Sequence, residues 1–154
     1  MKRIASLLLC ILLAACSTGP VRRVSEPSAN IQQLTVRADG SWAVDLRIDN
    51  FSNVPMRFDA VKLKLTVAGE DAGTLQGQPA LTIGPEAADV ASLTLAPGAS
   101  ARIVVADALA RGGNLAYALD GTLTAAPQDA RAREYEIERK NALSPVPGLT
   151  GVMR

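Results

Sequence analysis

The side chains of this sequence that could carry out chemistry are mostly carboxylates. Asp45 and Asp49 lie four residues apart in an alternating segment, and paired carboxylates can hydrolyse glycosidic bonds. Arg47 lies between them, and we expect Lys62 and Lys64 to face them from the next strand. Cross-strand ion pairs on a solvated face therefore explain this pattern better than a catalytic pair does.

Two further acidic groups have structural interpretations. Glu70 and Asp71 form a two-acid turn that could contact Ca²⁺, but a calcium loop needs more oxygen ligands at fixed spacing. Glu134, Glu136 and Glu138 share one strand face, and we interpret them as the charges that protect an edge strand. The sequence therefore predicts no catalytic, cofactor-binding or metal-binding residue.

The composition argues against an enzyme more generally. The chain has no histidine, which removes the usual general base, the commonest metal ligand and the Ser-His-Asp and Cys-His systems. It also has no P-loop, dinucleotide-binding or nucleophile-elbow motif. Trp42 could mark a ligand pocket, but it is in register with Val44, Leu46 and Ile48, which predicts core packing. We predict a non-enzymatic protein without a cofactor.

The first 16 residues have the organisation of a bacterial export signal. Lys2 and Arg3 precede an apolar stretch, which is shorter than the ~20 residues that span a bilayer as a helix. The segment Leu13-Ala14-Ala15-Cys16 resembles the lipobox of bacterial lipoproteins. The resemblance implies a signal peptide over residues 1–15, cleavage before Cys16 and lipidation of its thiol. An ordinary secretory signal and an uncleaved anchor are the alternatives.

The residue after the cysteine bears on the location of the protein. In enteric-type bacteria, an Asp at this position retains lipoproteins at the inner membrane, so Ser17 suggests the outer membrane, facing the periplasm. Cys10 would leave with the signal, so we expect no disulfide with Cys16. Residues 17–30 are polar, aperiodic and contain proline, which predicts a flexible tether. With the cysteine that the lipobox resemblance implies is lipidated, residues 16–30 form the lipidated cysteine and flexible tether.

The body of the chain alternates between apolar and polar residues, which is the period of half-buried β-strands. The predicted strands are centred on residues 31–37, 42–49, 61–68, 93–95, 103–105, 115–123 and 135–137. Turn signals separate them, and Asp39-Gly40 is the clearest hairpin signal. About seven short antiparallel strands predict an all-β sandwich over residues 31–140, followed by a C-terminal tail over residues 141–154.

Four segments, residues 46–56, 61–69, 95–105 and 117–123, share their order and turn residues with a known family. The first strand ends in Asn50 before a turn that contains Asn53 and Pro55, and Ala96-Pro97-Gly98 precedes another apolar segment. In this order they resemble the group 2 late embryogenesis abundant family, also called the water stress and hypersensitive response domain. Phe51-Ser52 stands where that family usually has Pro-Asn.

The resemblance implies an immunoglobulin-like or fibronectin-III-like sandwich, a role in tolerance of desiccation or related stress, and no catalytic residues. Asn50 is expected to shape the turn. We predict a monomeric protein that is anchored in the cell envelope through lipid on Cys16 and protects by binding or shielding proteins or other envelope surfaces. The alternative is an assembly subunit of an envelope complex that pairs through a strand edge.

Charge and aromatic content argue against nucleic acid as a partner. The formal net charge of the chain is +1, so no overall positive field attracts a polyanion. Aromatic residues make up 3 % of the sequence, which is little for a surface that stacks bases. A hydrophobic fraction of 48 % supports one folded domain of ordinary size.

Overall fold

Two antiparallel β-sheets form the framework of the protein. The computed structural model describes residue 19 and residues 21–154; the predicted signal peptide and Cys16 lie outside the described residues. The elements are β1 (Ser28–Val36), β2 (Trp42–Asn50), β3 (Met56–Val67), β4 (Glu70–Gly77), β5 (Leu81–Ile83), β6 (Ala87–Leu95), α1 (Ala99–Arg111), β7 (Leu115–Pro127), β8 (Arg133–Leu143) and β9 (Val152–Met153).

The two sheets face each other across one hydrophobic core. One sheet has the order β6-β2-β1-β9, and the other has the order β4-β3-β7-β8, with β5 pairing with the first residues of β3. Alternate residues of β2, including Trp42 and Leu46, are fully buried and pack with Leu65 and Leu119 in the core. The predictions of an all-β antiparallel sandwich and of Trp42 as a core residue are confirmed.

Six of the seven predicted strands correspond to strands of the structure, and one does not. Residues 103–105 were expected to form a strand, but they lie in helix α1. Ala101, Val105 and Ala108 are buried while Ile103 is exposed, which is the helical period and not alternation. Gly112 ends the helix in the left-handed conformation, with φ of 65°. Ala96-Pro97-Gly98 therefore leads into a helix.

The additional long strand is β4, which the sequence analysis missed. Its residues are mostly polar and include two glycines, so neither propensity nor strict alternation indicates a strand. The strand forms because it pairs with β3 over seven residues and buries Ala72 and Leu75. Pairing with β3, and not the local sequence, therefore determines that residues 70–77 form a strand.

The last residues also differ from the expected tail. Residues 141–143 complete β8, and β9 pairs with Leu34 and Thr35 of β1. Ser144 and Arg154 exchange two backbone hydrogen bonds, and Met153 is fully buried. The predicted C-terminal tail over residues 141–154 is therefore part of the sandwich, because it adds to two strands and buries an apolar side chain in the core.

The chain before β1 is attached to the sandwich, although it was expected to be part of a flexible tether. We call residues 21–27 the docked segment. Its backbone forms hydrogen bonds with Ser52 and Asn53, and Arg23 pairs with Glu86 at 2.8 Å. Residues 28–30 belong to β1. Polar composition suggested solvation, but the same backbone groups find partners in the 51–55 loop.

The sandwich has two distinct ends. The docked segment meets the loops at 51–55, 84–86 and 127–132, and we call this the Asn53 end. Helix α1, the hairpin at 37–41 and the loop at 144–151 lie at the opposite end, which we call the helix end. The nine residues of β2 run between the ends, which places them about 30 Å apart at ~3.3 Å per residue.

Candidate binding groove at the helix end

The two carboxylates of the pair singled out in the sequence each have a different polar partner. Asp45 accepts a hydrogen bond from Ser92 at 2.7 Å, and Asp49 pairs with Arg47 at 3.0 Å. Lys62 and Lys64 belong to β3, which lies in the other sheet. The expected cross-strand ion pairs are therefore wrong, because the chain crosses from one sheet to the other between β2 and β3.

The other acidic groups have ordinary structural partners. The Lys64 ammonium lies 3.1 Å from Asp71. This hydrogen bond and a second one from the Gly73 N–H hold the pKa of the Asp71 carboxyl below its usual value. Glu134 and its alternate neighbours are exposed on β8, which is an edge strand as predicted. The described residues contain no group of three or more His, Cys, Asp or Glu side chains that could hold a metal ion.

Asn50 shapes the turn after β2, as the sequence analysis expected. Its side chain is buried, and its Nδ2 lies 2.9 Å from the Val54 carbonyl oxygen and 2.8 Å from that of Gly84. Its Oδ1 accepts a hydrogen bond from the Ser52 N–H at 2.9 Å. One amide therefore joins two loops at the Asn53 end, and both of its polar atoms already have hydrogen-bond partners within the protein.

Ser52 and Asn53 then hold the docked segment. Asn53 accepts a hydrogen bond from the Arg23 N–H at 2.7 Å and donates one to the Val21 carbonyl at 2.7 Å. The Ser52 hydroxyl, which is fully buried, accepts a hydrogen bond from the Ser25 N–H at 2.9 Å. The Phe51-Ser52-Asn53 sequence thus fixes the chain that arrives from the amino terminus.

An apolar concavity lies at the helix end. It is a groove of about 700 Å³, which is within the range of small-molecule sites. Helix α1 forms one wall, the 145–151 loop forms the other, and the start of the β1–β2 hairpin forms the floor. The lining residues are Val36, Arg37, Ala38, Ala106, Leu109, Ala110, Pro145, Val146, Gly148, Leu149, Thr150 and Gly151.

Small side chains on one face of the helix create the groove. Ala106 and Ala110 are exposed and lie four residues apart on that face. Leu149 faces them from the loop with 53 % of its surface exposed. Arg37 is the only charged residue that lines the groove within the described part of the chain. The site can therefore accommodate an apolar group.

Sequence reasoning missed this groove for a specific reason. Its walls come from three separate segments, and the segment that supplies the helix was predicted to be a strand. The spacing of Ala101, Val105 and Ala108 before Gly112-Gly113 is the signal that could have identified the helix. Residues 145–151 line the groove because the strand that follows them, β9, pairs with β1. No local sequence pattern indicates this pairing.

Comparison with known proteins supports the fold and no more. No protein-family model and no curated protein matches the chain. A protein from Arabidopsis thaliana, solved in solution, is similar with a TM-score of 0.50 and 12 % identity over 85 % of each chain. At this identity the similarity shows the fold alone, a β-sandwich.

Two more solved structures are similar over most of their length. A protein from Archaeoglobus fulgidus has a TM-score of 0.44 and 15 % identity, over 80 % of this chain and 98 % of its own. A structural-genomics target has a TM-score of 0.47 and 10 % identity, over 82 % of this chain and 92 % of its own. Within residue 19 and residues 21–154, no helix is long and apolar enough to cross a bilayer.

Proposed function

We propose that this protein is a non-enzymatic lipoprotein of the cell envelope that presents a binding groove away from its membrane anchor. Lipid on Cys16 would hold it at the outer membrane, on the periplasmic side. The groove at the helix end would bind apolar groups of other molecules and shield them when water is withdrawn. The physiological role that we propose is tolerance of desiccation and related envelope stress, in a protein similar to the group 2 late embryogenesis abundant family.

The observation that carries this proposal is the arrangement of the two ends. The docked segment, which follows Cys16 in the chain, is held at the Asn53 end by hydrogen bonds to Ser52 and Asn53. The apolar groove lies at the other end, about 30 Å away along β2. A lipid-anchored protein built in this way keeps its groove accessible to molecules in the periplasm.

A survival assay in a deletion strain tests the proposal. The strain should survive drying or osmotic shock less well than its parent, and the lipidated wild-type protein should restore survival. Ala106→Glu, which places a carboxylate in the apolar groove, should restore survival poorly. Ile103→Glu is the matched control, because Ile103 lies on the same helix, is 68 % exposed and does not line the groove.

Three results would count against the proposal. Normal survival of the deletion strain would contradict the role in stress tolerance. Full rescue by Ala106→Glu would show that this role does not depend on the groove. An unmodified amino terminus in the mature protein, measured by mass spectrometry, would remove the anchor. Cys16→Ser should release the protein from the membrane fraction.

Assembly through a strand edge is the second candidate. Within the described residues, β9 pairs with two of the nine residues of β1. Among the same residues, the rest of that edge has no strand in its ladder, and β8 lies beside it, with Arg139 donating a hydrogen bond to Asn30 at 2.6 Å. An added strand from a partner could extend the sheet there. Recovery of a stoichiometric partner after cross-linking in intact envelopes, together with normal stress survival in the deletion strain, would favour this candidate.

A further inference from the structure

Exposed apolar side chains are concentrated at the two ends of the sandwich. The four large ones are Val21, Phe51, Ile103 and Leu149. Ile103 and Leu149 belong to the helix end. Val21 and Phe51 belong to the Asn53 end, where Val21 is 80 % exposed and Phe51 is 51 % exposed. Two apolar side chains in water at one end of a small domain indicate a contact surface.

Val21 and Phe51 are held close to each other by the docked segment. Asn53 forms a hydrogen bond with the Val21 carbonyl at 2.7 Å, and the Arg23 guanidinium lies 3.3 Å from the Phe51 carbonyl oxygen. The backbones of Val21 and Phe51 therefore lie in one small area of the surface, and both side chains are exposed there. Among residue 19 and residues 21–154, no apolar side chain covers either of them.

The length of the chain limits how far this area can lie from a lipid on Cys16. Val21 comes five positions after Cys16, and an extended chain covers at most ~3.6 Å per residue. Val21 therefore lies within about 18 Å of a lipidated Cys16. Residues 21–27 are docked on the Asn53 end. The distance limit that applies to Val21 therefore keeps this end of the sandwich close to the lipid as well.

The charges at the Asn53 end are balanced. The docked segment and the loops at 84–86 and 127–132 contain Arg22, Arg23 and Arg131 with Glu26, Glu86 and Asp129. Arg23 is paired with Glu86, and Arg22 donates a hydrogen bond to the Gln128 carbonyl. Attraction to anionic headgroups is therefore small, and the apolar side chains dominate any contact with a membrane.

We propose that the Asn53 end rests on the phospholipid surface, with Val21 and Phe51 inserted among the headgroups and the helix end pointing away. This inference rests on the proposed lipid anchor on Cys16. Lipidation alone fixes one point of the chain, whereas the docked segment and the two apolar side chains fix an orientation. The groove is then held about 30 Å above the bilayer.

The experiment places one fluorophore at either end of the mature, lipidated protein. The chain has two cysteines; Cys10 leaves with the signal and the Cys16 thiol is alkylated, so an introduced cysteine is the only free thiol. Phe51→Cys labels the Asn53 end. Leu149→Cys is the matched control at the helix end, because its exposure of 53 % nearly equals that of Phe51.

Each labelled protein is reconstituted into phosphatidylethanolamine–phosphatidylglycerol vesicles that contain a headgroup nitroxide quencher. We expect the label at position 51 to lose most of its fluorescence and the label at 149 to lose none. The quenching should persist at high salt because the charges at this end are balanced. Circular dichroism confirms folding, and Val21→Cys replaces Phe51→Cys if that variant does not fold.

The other outcomes overturn the inference in distinguishable ways. If the protein stays on the vesicles but neither label is quenched, the domain stands away from the surface. If both labels, or only that at 149, are quenched, the orientation is wrong. Failure of the protein to stay on the vesicles would contradict the lipid anchor, and this inference would be lost with it.

Discussion

Tyr117 connects the two sheets through one buried hydrogen bond. Its hydroxyl accepts a hydrogen bond from the Ile31 N–H at 3.1 Å, where the register of β1 against β2 shifts. The extra residue at this shift is Gln32, directly after Ile31, and the tyrosine hydroxyl supplies an acceptor for the buried Ile31 N–H. Burial raises the pKa of the Tyr117 phenol above its usual value of 10.0.

Tyr117→Phe should therefore lower the free energy of unfolding by about 1–3 kcal/mol at neutral pH, because the Ile31 N–H is left buried without an acceptor. Urea unfolding measures this loss. Tyr135→Phe is the matched control, since the Tyr135 hydroxyl is buried without a hydrogen-bond partner in the described structure. Its removal should cost little or should stabilise the fold. An equal loss in both variants would contradict the role of the bond.

The raised pKa of Tyr117 also predicts a pH dependence. Between pH 10.0 and the higher value in the folded protein, the unfolded state releases the phenolic proton and the folded state retains it. The stability from this group is thus complete below pH 10 and falls as the pH rises through the folded value. The difference in stability between wild type and Tyr117→Phe should shrink in this range, and a constant difference would contradict the assignment.

Gly121 is required where β7 passes β3. Its φ is 150°, and a Cβ built there would lie 2.2 Å from the backbone oxygen of Lys62. Gly121→Ala should thus destabilise the fold by at least ~1 kcal/mol, because backbone must move. Gly113→Ala is the control, since nothing lies within 4 Å of its Cβ. Similar melting temperatures for the two variants would show that the strands can separate at no cost.

At the scale of the elements, the segment that forms helix α1 can be interpreted from its sequence as a strand or as a helix, and the two interpretations bury different residues. In a strand, Ile103 and Val105 share a face. In the observed helix, Val105 is buried and Ile103 is 68 % exposed. Val105→Asp should therefore unfold or strongly destabilise the protein, whereas Ile103→Asp should change the melting temperature little. Comparable damage from both substitutions would favour a strand.

The same comparison explains which elements can be predicted from the sequence. In β2 and β7, alternation is long enough to identify both the strand and its buried face, and Asp39-Gly40 correctly marks the β1–β2 hairpin. Helix α1 was missed because two β-branched residues, Ile103 and Val104, precede Val105 and suggest a strand over a short window. β4 and β9 form because partner strands are available, so their own residues contain little signal.

At the scale of the molecule, the docked segment decides whether the domain is tethered loosely or held in place. Fragments 21–154 and 29–154 differ only by this segment and Ser28. Both should fold cooperatively without lipid, metal or disulfide, because the buried core lies almost entirely after residue 28. The groove at the helix end should be unaffected in both.

The shorter fragment should nevertheless be less stable. Removal of residues 21–28 leaves the buried Ser52 hydroxyl without Ser25 and the Asn53 side chain without Arg23 and Val21. At ~0.5–1.5 kcal/mol for each of these three hydrogen bonds, fragment 29–154 should lose about 1.5–4.5 kcal/mol in urea unfolding. Asn53→Ala in the longer fragment should reproduce part of this loss. Equal stability of the two fragments would mean that residues 21–27 move freely, and the fixed distance between bilayer and groove would be lost with them.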